Sequence, residues 1–175
     1  VYLLSGKTQA FDVTLHGEEI LEQLIKQNNG IILLGSHLGN FDLLRVFSSK
    51  YSAIKIKAIM NKESPQKINQ VFEKLNPSLK EEVIHIGSPE SMLSLKEFVK
   101  QGNLAGILAD RVETQERTVE CNFFKQATLF PSGPLIVASL IQVPVIICFG
   151  LHKKNNQYHV FFHHFSEKIE LPREY

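Results

Sequence analysis

The stretch IILLGSHLGNFD, residues 31–42, decides how the rest of the chain is read. Ile31 to Leu34 are four consecutive large apolar residues closed by Gly35, the length and pattern of a strand covered on both faces. Ser36, His37, Leu38 and Gly39 follow as a loop. Asn40 is placed to cap the next helix, with Asp42 in its first turn. A strand, a short loop and a helix in that order form one step of a layered α/β unit. In open sheets of this kind ligands sit beyond the carboxyl ends of the strands, so His37 stands where chemistry is expected.

The same rhythm continues outward. Strands are predicted at residues 31–35, 54–60, 82–86, 104–109 and 143–149. They alternate with segments 40–49, 64–75, 89–100 and 133–141, whose apolar residues recur at three- and four-residue spacing. Ser64-Pro65 and Ser88-Pro89 each place a serine cap before a proline at the first helical position, and Gly102 closes the helix at 89–100. Ahead of this unit, residues 9–15 read as a strand leading into a helix at 18–27. After it, a polar turn leads into a strand at 157–165. The expected fold is α/β, a layered α/β/α arrangement with a mostly parallel central sheet and antiparallel additions at the ends. Residues 111–130 are the one long irregular stretch.

Composition sets the limits. The 175 residues, 43% hydrophobic, suit one domain over 1–175 with a real core. Nineteen Lys+Arg against eighteen Asp+Glu leave a net charge of +1, which offers no global field for nucleic acid. Cys121 and Cys148 are too few for a disulfide framework or a four-cysteine zinc site. No run approaches the ~18–20 apolar residues that span a bilayer, and no signal-peptide pattern opens the chain. His152, His159, His163 and His164 lack completing ligands, so the expected metal complement is none and these are read as surface or edge-strand residues.

His37 and Asp42 form the pattern H-x-x-x-x-D. On a continuous helix a five-residue offset, at about 100° per residue, sets the two on different faces. A turn at Gly39 lets the carboxylate swing back to the ring. A carboxylate bonded to one ring nitrogen fixes the tautomer and stabilises the imidazolium formed when the other takes a proton, so His37 is the candidate general base. No G-x-S-x-G elbow and no suitably placed cysteine supplies a nucleophile, which points to direct transfer to a hydroxyl of the substrate. Equally, Asp42 suits the helix dipole and His37 an ordinary loop.

Asp110 and Arg111 end the fourth predicted strand at the same edge. There Arg111 suits a phosphate or carboxylate, with Asp110 expected to support Arg111. The alternative is that they cap the strand and pair with each other. Ser132-Gly133-Pro134 opens a helix whose first N–H groups suit an anion or oxyanion, or simply a capped helix start.

Residues 16–42, HGEEILEQLIKQNNGIILLGSHLGNFD, resemble the lysophospholipid acyltransferase-like superfamily, in particular its lipid A acyltransferase branch and related predicted glycolipid acyltransferases. The resemblance continues through Val83-Ile84-His85-Ile86-Gly87-Ser88-Pro89, Gly106-Ile107-Leu108-Ala109-Asp110-Arg111 and Phe130-Pro131-Ser132-Gly133-Pro134, four ordered blocks covering most of the chain. The segment Asn122-Phe123-Phe124-Lys125 departs from it, standing where relatives carry a small glycine-containing turn.

The resemblance implies transfer of a fatty acyl group from an acyl thioester to a hydroxyl of a lipid or glycolipid. His37 and Asp42 are then the catalytic dyad, and Arg111, Ser132, Gly133, Lys62 and Asn40 the substrate-binding candidates. It implies no bound cofactor, with an acyl-carrier-protein or coenzyme A thioester as cosubstrate. It also implies a longer protein, held at the cytoplasmic face of the inner membrane peripherally or through a segment outside this chain. The rival expectations are a non-catalytic lipid-binding domain, or a hydrolase or transferase of another phosphorylated metabolite. Two weaker signals bear on the choice. Residues 45–67 carry six basic side chains against Glu63, which suits a solvated face, anionic head groups or an acidic carrier. Phe123, Phe124, Phe130, Phe161 and Phe162 suit either an acyl channel or core packing.

Overall fold

The computed structural model describes residues 12–39, 51, 53–61, 83–112 and 117–172. The elements run β1 (Asp12–His16), α1 (Glu18–Lys26), β2 (Ile31–Gly35), β3 (Ile56–Asn61), β4 (Val83–Ile86), α2 (Pro89–Lys100), β5 (Leu104–Leu108), β6 (Thr118–Phe123), β7 (Gln126–Pro131), α3 (Gly133–Ile141), β8 (Val145–His152) and β9 (Gln157–Ser166). Seven strands form one sheet in the order β1-β9-β8-β2-β5-β3-β4, and β6 and β7 form a separate two-stranded sheet. From β8 to β4 the neighbours run parallel.

The period-2 alternation of the strands divides the core. Ile31 and Leu33 of β2 join Leu21 and Leu24 of α1, together with Leu104, Ile146, Cys148, Val160 and Phe162. Ile32, one step along, faces the other way, toward Leu95 and Val99 of α2 and Val137, Ala138 and Ile141 of α3. Among the described helices, one therefore covers one face of the sheet and two cover the other, the expected α/β/α layering. Because β2 is buried from both sides, it reads as a continuous apolar run rather than an alternating one.

Local chemistry fixes the helix ends. Ser88 caps α2 by accepting from the Ser91 N–H, and the Ser91 hydroxyl accepts from the Ser88 N–H, a reciprocal capping box. The chain leaves α2 through Gly102 at φ 82°, a conformation open to glycine. Next comes Asn103, the one buried polar residue of the described core. Its amide donates to the Phe98 carbonyl at 3.0 Å and its oxygen accepts from the Lys55 N–H at 3.1 Å, so the group is satisfied and ties α2 to the start of β3.

Several expectations shift. β8 begins at Val145 rather than residue 143 because Pro144 has no N–H for the ladder, although its carbonyl accepts from Ile32. The two additional strands lie side by side at one edge of the sheet. β9 is antiparallel to β8, and β1 pairs with β9 in parallel. The stretch read as irregular contains the β6–β7 hairpin. The helices expected at 40–49 and 64–75 lie outside the described residues. No described helix is long and apolar enough to cross a membrane.

Leu33 is fully buried in the central strand. Leu33→Ala is expected to lower unfolding free energy by about 2–5 kcal/mol, read from urea denaturation, because the closed layer on that face cannot collapse into the space left.

Candidate active site

The site is built by the register of two parallel strands. β2 and β5 pair Ile31 with Leu104 and keep that offset to Gly35 and Leu108. The ladder continues one step further, where the Ala109 N–H donates to the Gly35 carbonyl at 3.0 Å. The same offset of 73 sets His37 opposite Asp110.

Asp110 holds His37 with both carboxylate oxygens. The His37 backbone N–H donates to Oδ2 at 3.0 Å, and ring Nδ1 lies 2.8 Å from Oδ1. An ionised carboxylate can only accept, so Nδ1 carries the proton and Nε2 of the neutral ring is left as the basic nitrogen. The side chains are 39% and 30% exposed, so the ring is held from behind and still reaches solvent. Partial burial by itself would raise the Asp110 carboxyl. The hydrogen bonds from the His37 ring and main chain, with the ring's charge, outweigh it and hold the group below its ordinary value of 3.8.

The loop after His37 is pinned on its other side. The Leu38 N–H donates to the Ser36 hydroxyl oxygen at 3.1 Å, and Leu38 itself is exposed. Gly39 bridges to Gly150 of β8. At Gly39 φ is +87°, and an added Cβ would stand 2.0 Å from the Gly150 carbonyl oxygen, so only glycine fits. The loop is therefore clamped between β5 and β8.

At the start of α3, Ser132 has helical dihedrals and makes no side-chain cap. Its hydroxyl and its N–H instead both donate to the Arg117 carbonyl, at 3.0 and 2.9 Å. Pro134 has no N–H, which leaves the amides of Gly133 and Leu135 as first-turn donors without intrahelical acceptors. A Cβ placed on Gly133 would meet nothing within 4 Å, so this helix start is open. Because α3 runs back between the parallel strands β5 and β8, its N-terminus lies at the same sheet edge as His37 and Asp110.

Of the residues singled out from sequence, the structure sets His37 beside Asp110, with exposed Arg111 next along the chain and Ser132-Gly133 at the same edge. Asn40, Asp42 and Lys62 lie outside the described residues. Asp110 was expected to support Arg111, yet its carboxylate is given to His37. The signal for this was present only as a sheet-order question, since 73 residues separate the two.

Other expectations resolve away from the site. Cys148 is buried and its thiol is pushed up to about 12 by that burial, which leaves it unreactive. His159 pairs with His16, ring nitrogens 2.7 Å apart. Phe162 lies in the core, whereas Phe123 and Phe124 are exposed on the hairpin.

The sign of the Asp110 shift makes a pH prediction. A carboxylate depressed in the folded state contributes stability that is complete above its unfolded value and disappears as pH falls through the lower folded value. The difference in thermal midpoint between the chain and Asp110→Asn should shrink as pH falls below 3.8. A difference that stays undiminished there would mean that the carboxylate is not held in this way.

No curated protein matches the sequence. The family model described as bacterial lipid A biosynthesis acyltransferase matches residues 4–170. Nearly the whole chain is covered, including every element of the sheet and the His37–Asp110 site, and the chain therefore belongs to the bacterial lipid A biosynthesis acyltransferase family, a family of O-acyltransferase enzymes.

Proposed function

We propose that the chain transfers a fatty acyl group from an acyl-carrier-protein or coenzyme A thioester to a hydroxyl of a lipid or glycolipid, with His37 as general base. The observation that carries this reading is the doubly held His37, whose Nδ1 faces Asp110 and whose Nε2 is free to take a proton. Nε2 removes the acceptor hydroxyl proton as the oxygen attacks the thioester carbonyl. The tetrahedral intermediate collapses with loss of the thiolate, and the imidazolium returns the proton to the sulfur. Nothing in this sequence of steps calls for a metal or an organic cofactor.

Two carboxylates then have separate parts. Asp110 holds the ring in the productive tautomer, and Asp42 of the H-x-x-x-x-D pattern balances the imidazolium charge as it forms. Arg111 and the amides at Ser132-Gly133 hold a phosphate of the acceptor or the developing oxyanion, with Asn40 and Lys62 as further substrate contacts. The family's acceptor implies work at the cytoplasmic face of the inner membrane, held there peripherally or through a segment outside this chain.

Thiol release from acyl thioesters in the presence of a lipid acceptor tests the reading. His37→Ala should lower kcat by about 10²–10⁴-fold, with Asp42→Ala and Asp110→Asn also reducing kcat. Arg111→Ala should chiefly raise KM for a phosphorylated acceptor. Full activity in both His37→Ala and Asp42→Ala would refute the dyad.

A further inference from the structure

The β6–β7 hairpin is not accounted for by acyl transfer. Among the described residues its strands pair only with each other, from Thr118 opposite Pro131 to Phe123 opposite Gln126, and every residue of β6 is exposed. Two-stranded ribbons are marginal in water without a covering partner. The two-residue turn is Phe124-Lys125, with φ of 50° and 65°. Hairpin turns of this hand are ordinarily served by Asn-Gly, because a bulky residue at positive φ is disfavoured. A phenylalanine at such a position, 86% exposed, costs the fold and gives nothing back to the core.

Phe123 and Phe124 stand at the tip, and Val119, Leu129 and Phe130 lie toward the base. Val119 and Phe123 of β6 share a face with Phe130 of β7, and the Phe123 ring makes edge contacts with Phe124 and Phe130 at centroid distances of 4.6 and 5.5 Å. Lys125 stands in the turn beside the rings, and the nearest acid along β6, Glu120, lies three residues before Phe123. Rings at the tip with a flanking cation suit the interfacial zone of an anionic bilayer, where rings enter the acyl boundary and the cation meets the head groups. A protein partner is less well served, since a stable interface takes roughly 20–30 residues a side and this ribbon has twelve strand residues in all.

The hairpin is also rooted at the site. The chain enters it just after Asp110 and Arg111 and leaves it at Ser132-Gly133, and the two ends are clasped by the Ser132 bonds to the Arg117 carbonyl. Six residues at about 3.3 Å each carry the tip roughly 20 Å from that base. We propose that the Phe123-Phe124-Lys125 tip inserts into the surface of an anionic lipid bilayer and presents the His37 edge of the domain to it. The reason for meeting a bilayer rests on the acyl-transfer reading, but the test does not depend on turnover.

The chain contains no tryptophan. Phe124→Trp therefore gives a single-site reporter in an otherwise dark background. On vesicles of phosphatidylglycerol and phosphatidylethanolamine its emission should shift to the blue and be quenched by brominated acyl chains. The double variant Phe123→Ser, Phe124→Ser should sediment with those vesicles at least about tenfold less than the unmodified chain, as expected from two large rings withdrawn from an apolar phase. It should keep the same thermal midpoint. Lys125→Glu should weaken binding to phosphatidylglycerol vesicles and leave any binding to phosphatidylcholine vesicles unchanged.

No spectral shift, no vesicle binding by the unmodified chain, or equal binding by the double variant overturns the proposal. So does self-association of the unmodified chain that the double variant abolishes, because the tip would then be a contact between copies. Vesicle binding that collapses in the variant while no thioester is turned over by the unmodified chain upholds the hairpin and removes the acyl-transfer reading instead.

Discussion

The site depends on one constraint, the parallel register between β2 and β5. A ladder that pairs Ile31 with Leu104 and Gly35 with Leu108 has no freedom at its end, so the residues two steps beyond, His37 and Asp110, must meet. Slipping that register by one residue would turn the apolar side chains of β2 to the wrong faces and separate the histidine from its carboxylate at the same time. Core packing and the His37–Asp110 contact are thus enforced by the same backbone bonds. The central strand is covered by α1 on one face and by α2 and α3 on the other.

The loop carrying His37 gains its rigidity from what flanks it. On one side the Asp110 carboxylate takes both a ring and a main-chain hydrogen bond. On the other, Gly39 lies against Gly150 of β8 at a distance no side chain permits. In the proposed role of general base, a ring positioned in this way loses little freedom when a substrate arrives, which is how preorganised groups contribute to rate. Exposure of the ring is consistent with an acceptor that is brought to the domain edge rather than enclosed within it.

Much of this was legible before the structure. The bounds of β2, α2 and α3 follow from a continuous apolar run, a Ser-Pro cap with Gly102 behind it, and a Gly-Pro helix start. Local chemistry decides such elements. The β6–β7 hairpin was not legible, because both faces of β6 meet solvent, which erases the alternation, and its turn uses Phe-Lys where glycine or asparagine would have marked it. The His37–Asp110 pair was half legible. Each residue was marked by its place after a strand, but their contact required knowing that β5 and not β3 lies beside β2. Sequence alone pairs Asp110 with its chain neighbour Arg111.

Membership in an acyltransferase family supplies a reaction, and the held histidine carries the proposed way to perform it. The central claim is that Asp110 fixes the proton on Nδ1 and leaves Nε2 basic. Nitrogen-15 NMR of the His37 ring, at a pH where the ring is neutral, tests this most directly. The account predicts a protonated Nδ1 and a bare Nε2, with that preference lost in Asp110→Ala. A ring protonated at Nε2 in the unmodified chain, or a tautomer indifferent to Asp110, would contradict it.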